Sequence, residues 1–167
     1  MFSFETSRLR VVEIDKNISS SKRLTILKQV PSILTPAVVE NLPPYFHGIT
    51  SSEHAEKWLA IMLQDSRLLE VSLANNELVG FLFVSLENEA LAHIGYLLTQ
   101  EHWGKGLASE LLNAFIEEAT NNELWTKLIG GVDQSNVASA NLLKKLGFVA
   151  QPAEDTSVVF YEYSVSR

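Results

Sequence analysis

The chain has 167 residues, 46% hydrophobic and 20% charged, with no cysteine and a formal net charge of −7; its pI is near 5.1. This is the composition of a globular chain read as one domain over 1–167, without disulfides, thiolate metal sites or a cysteine nucleophile. The acidic balance disfavours nucleic acid and favours amine-bearing partners, and the lack of a long apolar stretch or signal-like start at Met1–Glu5 predicts no membrane partner and a cytoplasmic location.

In chain order, Arg8–Glu13 alternates polar and apolar residues and predicts a first strand. Ile18–Val30 predicts a helix that stops before Pro31, and Thr35–Asn41 a short second helix ended by Pro43 and Pro44. Ser52–Gln64 opens on a serine and carries Ala55, Trp58, Leu59 and Met62 at helical spacing. Strands follow at Leu69–Ala74 and Leu78–Leu86 around an Asn75-Asn76 turn, then at Ala90–Thr99. A helix over Leu107–Asn121, a strand over Lys127–Asp133, a helix over Val137–Leu146 closed by Gly147 and a strand over Val158–Val165 complete the pattern. The expected fold is α/β: a mixed, mostly antiparallel central sheet with helices on both faces, the helix 107–121 crossing between parallel strands.

The segment Trp103-Gly104-Lys105-Gly106-Leu107-Ala108 lies between a strand and a helix start. Such a turn directs several backbone N–H groups one way, and its glycines let an anion approach the main chain. Three diphosphate ligands compete for it. A mononucleotide loop needs GxxxxGK(S/T), which is absent. A dinucleotide fingerprint needs Gly or Ala where Ser109 stands, and it belongs in an early parallel βαβ unit. The third is coenzyme A.

Here the chain resembles the GNAT superfamily of N-acetyltransferases, and within it the RimJ/RimL-like group. The acetyl-CoA signature Q/R-x-x-G-x-G/A matches Trp103, Gly106 and Ala108, with Trp103 in place of Gln or Arg. Asn136 to Phe148 resembles N-x-x-A/S-x-x-L-x-x-K-x-G-F, and Ile94-Gly95-Tyr96 and Glu5-Thr6-Ser7-Arg8-Leu9-Arg10 add to the likeness. It covers essentially the whole chain and implies a GNAT fold that uses acetyl-CoA as co-substrate, with no metal. It further implies that Leu97 or Leu98 offers an N–H to the donor's carbonyl, and that Gly104, Lys105, Gly106, Leu107 and Ala108 hold its diphosphate. Gly95 would mark a bulge that splays this strand from its parallel neighbour.

His93 stands where the group often carries a glutamate. Imidazole suits proton removal from an ammonium, so His93 is the candidate base, against the alternative of a histidine satisfied on a sheet face. Asn136 reads both as a helix N-cap and as an amide for the pantetheine arm. Ser139, one turn on, reads as a proton donor to the leaving sulfur or as a small packing residue. Leu143 occupies the position where many relatives place a tyrosine acid. Glu110, Glu117 and Glu118 are expected on a wet helix face, and Ile18–Val30 and Tyr45–Ser52 as walls of the acceptor pocket. The four histidines do not recur at metal-ligand spacing.

The expected activity is direct acetyl transfer in a ternary complex, from acetyl-CoA to a primary amine on a small molecule or a protein N-terminus. Homodimerisation stays open. The rival reading is a CoA-binding sensor or interaction module without turnover; a dinucleotide-dependent oxidoreductase is a distant third.

Overall fold

The computed structural model describes residues 1–152 and 157–167. Its centre is an eight-stranded sheet in the order β1-β2-β3-β4-β5-β6-β8-β7. The strands are β1 (Ser3–Glu5), β2 (Leu9–Glu13), β3 (Arg67–Leu73), β4 (Leu78–Leu86), β5 (Leu91–Leu98), β6 (Lys127–Asp133), β7 (Val149–Ala150) and β8 (Val158–Ser164). Every pairing is antiparallel except β5 with β6. Helices α1 (Ser20–Ile33), α2 (Pro36–Val39) and α3 (Ser52–Asp65) precede β3; α4 (Leu107–Asn122) links β5 to β6, and α5 (Val137–Leu146) follows β6. β1 and β7 are too short for a periodicity argument.

Period-two alternation gives the sheet two apolar faces, and each makes a core. On one face Val11, Leu82, Val84 and Ala92 pack with Leu111, Leu112 and Phe115 of α4. On the other, Phe81 and Leu97 pack with Ile26 of α1 and Trp58 and Leu59 of α3. Trp58 and Trp125 are both buried packing residues. Fully burying side chains of this size stabilises by about 1.5–3 kcal/mol each.

Two elements depart from the sequence reading. α1 does not stop before Pro31 but runs through it to Ile33, and the Leu34 N–H still donates to the Val30 carbonyl at 2.9 Å. Burial of Val30, Ile33 and Leu34 offsets the hydrogen bond that proline removes. The second departure concerns Gly95, which is not a bulge: the β4–β5 register is continuous from Gly80↔Leu98 to Leu86↔Ala92. Gly95 sits opposite Phe83, where an added Cβ would come within 2.2 Å of the ring. The irregularity falls one ladder away, between Val71↔Gly80 and Ser72↔Leu78. The extra β4 residue inverts the pleat, so Val79 joins the core of Leu82 while Leu78 and Phe81 face the other way. Gly80 brings its main chain against Leu97, whose oxygen an added Cβ would meet at 2.1 Å.

Candidate active site

β5 and β6 pair only from Leu91↔Lys127 to Ile94↔Gly130. Beyond that point Gly95–Leu98 and Gly131–Asp133 run on without pairing to each other, which leaves a wedge between two parallel strands. Trp103 Nε1 donates to the Leu98 carbonyl at 2.8 Å, and the Thr99 N–H donates to the Val79 carbonyl of β4. In a pleated strand a residue's N–H and C=O point to the same side, and neighbouring residues alternate. Leu98 and Tyr96 therefore turn their amides away from β4, toward the wedge, while Leu97 turns its amide toward β4.

A 3-10 turn over Gln100–His102 then leads into Gly104 and Gly106, at φ 72° and 77°, a left-handed backbone that glycine adopts without strain. Gly106 is the N-cap of α4 and supplies no side-chain cap, so the first N–H groups of this 16-residue helix keep their donor capacity at the wedge's mouth. A cleft of about 590 Å³ joins these features. It runs along Ile94–Leu98, past His102, Trp103, Gly104 and Gly106–Ser109, and takes its far wall from Gly130–Asp133, Asn136, Ser139 and Leu143. Ala37, Val38, Glu40, Asn41 and Leu42 complete its lining, whereas the segments 18–30 and 45–52, expected from the sequence as acceptor walls, do not reach it.

α5 enters through Asn136, whose Oδ1 accepts from the Ser139 N–H at 3.3 Å; the N-cap reading is thus realised and leaves the amide's NH2 for other partners. The helix ends in a Schellman motif, with Gly147 at φ 104°, its N–H on Lys144 O and the Phe148 N–H on Leu143 O. Leu143 is buried in the core and also lines the cleft. Ser139 Oγ lies 3.0 Å from Tyr96 Oη. Burial pushes the Tyr96 phenol up, partly opposed by that hydrogen bond. Sequence reasoning missed this pair. Strand alternation puts Tyr96 on the face of Ala92 and Ile94, but only the folded chain brings residues 43 apart into contact.

Three predicted site residues sit differently from the rest. Lys105 is exposed and lies outside the cleft lining, and its carbonyl accepts from Arg8 Nη1 at 2.8 Å. His93 lies on the sheet face shared by Gly95 and Leu97, with Nε2 3.2 Å from Glu87 Oε2 and its ring edge-on to Phe160. It is half-exposed and, like Lys105, does not line the cleft. Leu97 lines the cleft, with its side chain in the α1–α3 core. A further correction concerns Glu110. It is not on a wet helix face, because Thr6 Oγ1, the Arg8 N–H and Arg8 Nε all donate to its carboxylate. Burial opposes ionisation there, and those hydrogen bonds override it to hold the carboxyl below its ordinary range.

A wedge between parallel strands, a left-handed glycine turn at a helix start and a cleft joining them suit a long ligand with a diphosphate at one end. Comparison with known proteins agrees. A family model described as the acetyltransferase (GNAT) domain matches residues 29–149, well over half of the chain. Among curated proteins, the chain is similar to the uncharacterized protein YkkB of Bacillus subtilis, 25% identical over 112 residues (62% of this chain, 65% of that one). It is also similar to the uncharacterized N-acetyltransferase p20 of Bacillus licheniformis, 36% identical over 69 residues (41% of this chain, 38% of that one). The matched stretches thus span less than two thirds of either relative's length. Among solved structures the fold is that of RimL, a ribosomal L7/L12 alpha-N-protein acetyltransferase in complex with coenzyme A, at TM-score 0.77 and 18% identity over 96% of each chain. The ribosomal-protein-S5-alanine acetyltransferase of Vibrio fischeri gives 0.72 at 17% identity, over 99% of this chain and 97% of that one. A mutant form of the spermidine N-acetyltransferase SpeG of Vibrio cholerae gives 0.72 at 17% over 95% of each. On the family match and this shared architecture, the chain belongs to the GNAT acetyltransferase family.

Proposed function

We propose that the protein is a cytoplasmic, single-domain N-acetyltransferase that moves an acetyl group from acetyl-CoA to a primary amine by direct attack in a ternary complex. The observation that carries this reading is the continuity of the cleft from the glycine turn to the β5–β6 wedge. Residues of the turn fit a diphosphate: left-handed glycines without a Cβ in the way, and a helix N-terminus with no side-chain cap. Gly104, Gly106, Leu107 and Ala108 would hold that group through their main chain, with Lys105 outside as a solvated charge. Trp103 ties the turn to β5 through the Leu98 carbonyl.

The donor, when bound, supplies a thioester carbonyl whose carbon forms the new C–N bond as its C–S bond breaks. Of the two leucines expected to polarise that carbonyl, Leu98 is the one whose amide faces the wedge; Leu97 contributes packing. An N–H aimed at a developing oxyanion is worth about 2.7–4 kcal/mol of barrier in comparable sites. Asn136 would donate its amide to the pantetheine arm. His93, oriented by Glu87, removes the proton from the incoming ammonium, directly or through water. The Tyr96–Ser139 hydroxyl pair returns a proton to the leaving thiolate and replaces the tyrosine absent at Leu143. The acceptor is a small molecule or a protein N-terminus bearing an amine, approaching from the wall formed by Ala37, Val38 and Glu40 to Leu42.

One observation favours the rival, a CoA-binding module without turnover: the proposed base does not line the cleft. Thiol release from acetyl-CoA across a panel of polyamines, amino sugars and N-terminal peptides separates the two. Amine-dependent release supports the enzyme. Saturable CoA binding with no release for any amine assigns the chain to the rival.

A further inference from the structure

The segment Thr6–Arg8 lies next to the glycine turn although 97 residues separate Arg8 from Lys105. Arg8 spends its donors on two elements at once. Its Nη1 donates to the Lys105 carbonyl at 2.8 Å, while its Nε and backbone N–H donate to the two oxygens of Glu110 at 2.8 and 3.0 Å. Thr6 Oγ1 adds a donor to the same carboxylate. Arg8 Nη2 lies 3.6 Å from where a Cβ on Gly106 would stand.

The peptide joining Lys105 to Gly106 is trans, so its N–H points opposite to its C=O. A carbonyl held against Arg8 therefore turns the Gly106 N–H away from Arg8, and Gly106 lines the cleft while Arg8 does not. Glycines flanking Lys105 make this peptide easy to rotate. Rotated, it would aim a carbonyl oxygen at an anion. Glu110, in the first turn of α4, would also repel an anion at that helix start if its charge were uncompensated. One guanidinium answers both problems, since its planar fork serves two acceptors that a lysine ammonium cannot match in geometry.

We infer that Arg8 is a positioning residue that fixes the Lys105–Gly106 peptide with its N–H toward the donor's diphosphate, and that Thr6 and Glu110 hold Arg8 in place. This rests on the reading of the glycine turn as the diphosphate site. It assigns to the N-terminal strand segment a share in donor recognition, with no contact to the reacting atoms.

The test uses the full chain and four proteins: wild type, Arg8→Met, Arg8→Lys and Arg10→Met. Arg10 pairs with Glu5 and Asn76 and touches neither the turn nor α4, so its variant controls for charge loss on the same segment. Calorimetry with CoA and with pantetheine, which lacks the diphosphate, gives the first readout. Arg8→Met should weaken CoA about tenfold and leave pantetheine unchanged. Arg8→Lys should recover less than half of that loss on a logarithmic scale, and Arg10→Met should bind as wild type. With a turned-over amine, the KM for acetyl-CoA should rise in Arg8→Met while kcat holds. Equal losses for CoA and pantetheine, full recovery by lysine, or wild-type CoA affinity in Arg8→Met would each overturn the inference. A wild-type protein that binds no CoA would instead overturn the reading beneath it.

Discussion

The two faces of the sheet carry unlike kinds of information. On the α4–α5 face the proposed donor site is made of main chain: left-handed glycines, an uncapped helix start, a strand whose partner departs, and an asparagine cap. On the α1–α3 face the proposed acceptor site is made of side chains: a histidine paired to Glu87 and Phe160, and a wall from Ala37, Val38 and Glu40 to Leu42. Backbone sites leave compact sequence marks because few residue types tolerate the conformation. Side-chain sites leave none that one sequence can show. The difference teaches that a site built from main-chain conformation is marked in the sequence, whereas one built from side chains of separate elements emerges only in the fold.

If the donor face is a backbone device, a Cβ in the turn should hurt it more than any charge change. Gly106→Val places a β-branched residue at φ 77° beside the proposed diphosphate, and we expect CoA binding by calorimetry to weaken at least about 100-fold while the chain stays folded. A valine accepted without loss would break the comparison at its stronger side.

The acceptor face should respond in turnover and not in donor affinity. His93→Ala is expected to lower kcat by about 100-fold near neutral pH with the Kd for acetyl-CoA unchanged. Equal rates from pH 6 to 9 would move the base elsewhere. Tyr96→Phe removes one hydroxyl of the pair with Ser139 and should slow thiol release by about tenfold, with Ser139→Ala no worse in combination than alone. Additive losses would mean that the two hydroxyls act separately.

Gly95, on the sheet face of His93 and Leu97, tests packing against Phe83. Gly95→Ala drives a methyl into the Phe83 ring and should cost about 1–3 kcal/mol in urea unfolding, recovered in part by Phe83→Leu. The smallest effect concerns acid. Burial opposes ionisation of Glu13, but hydrogen bonds from Arg67 and the Phe2 N–H hold its carboxyl below the ordinary range. A carboxyl lowered in the folded state stabilises fully above its unfolded pKa, about 4.3, and loses that contribution as pH falls through the folded value. Glu13→Gln should therefore melt a few degrees below wild type at pH 7, and the gap should narrow once the pH drops below the unfolded value of about 4.3 and falls through the folded one.

Much of the fold was legible. β4, β6 and α5 match their sequence boundaries to the residue, because short apolar runs bounded by polar residues mark the strands and terminal Asn136 and Gly147 mark the helix. Pro31 misled because tertiary burial outweighed a local rule, and Gly95 because a glycine in a strand signals either a bulge or a close approach. The bulge near Gly80 left no mark beyond the glycine itself. Glu110 looked solvated on its own helix, since its partners Thr6 and Arg8 stand about a hundred residues earlier. Tyr96 was hidden likewise, its hydroxyl partner being supplied by another element. Interactions that bridge distant segments are invisible to local pattern.

On the reading proposed above, main-chain amides of the glycine turn and of β5 receive acetyl-CoA. Amide 1H–15N spectra recorded during a titration with acetyl-CoA test it most directly. Saturable shifts are expected, largest at Gly104, Gly106, Ala108 and Leu98, with Leu97 changed less. Saturable binding that leaves those amides in place, or a titration that moves nothing, would contradict it.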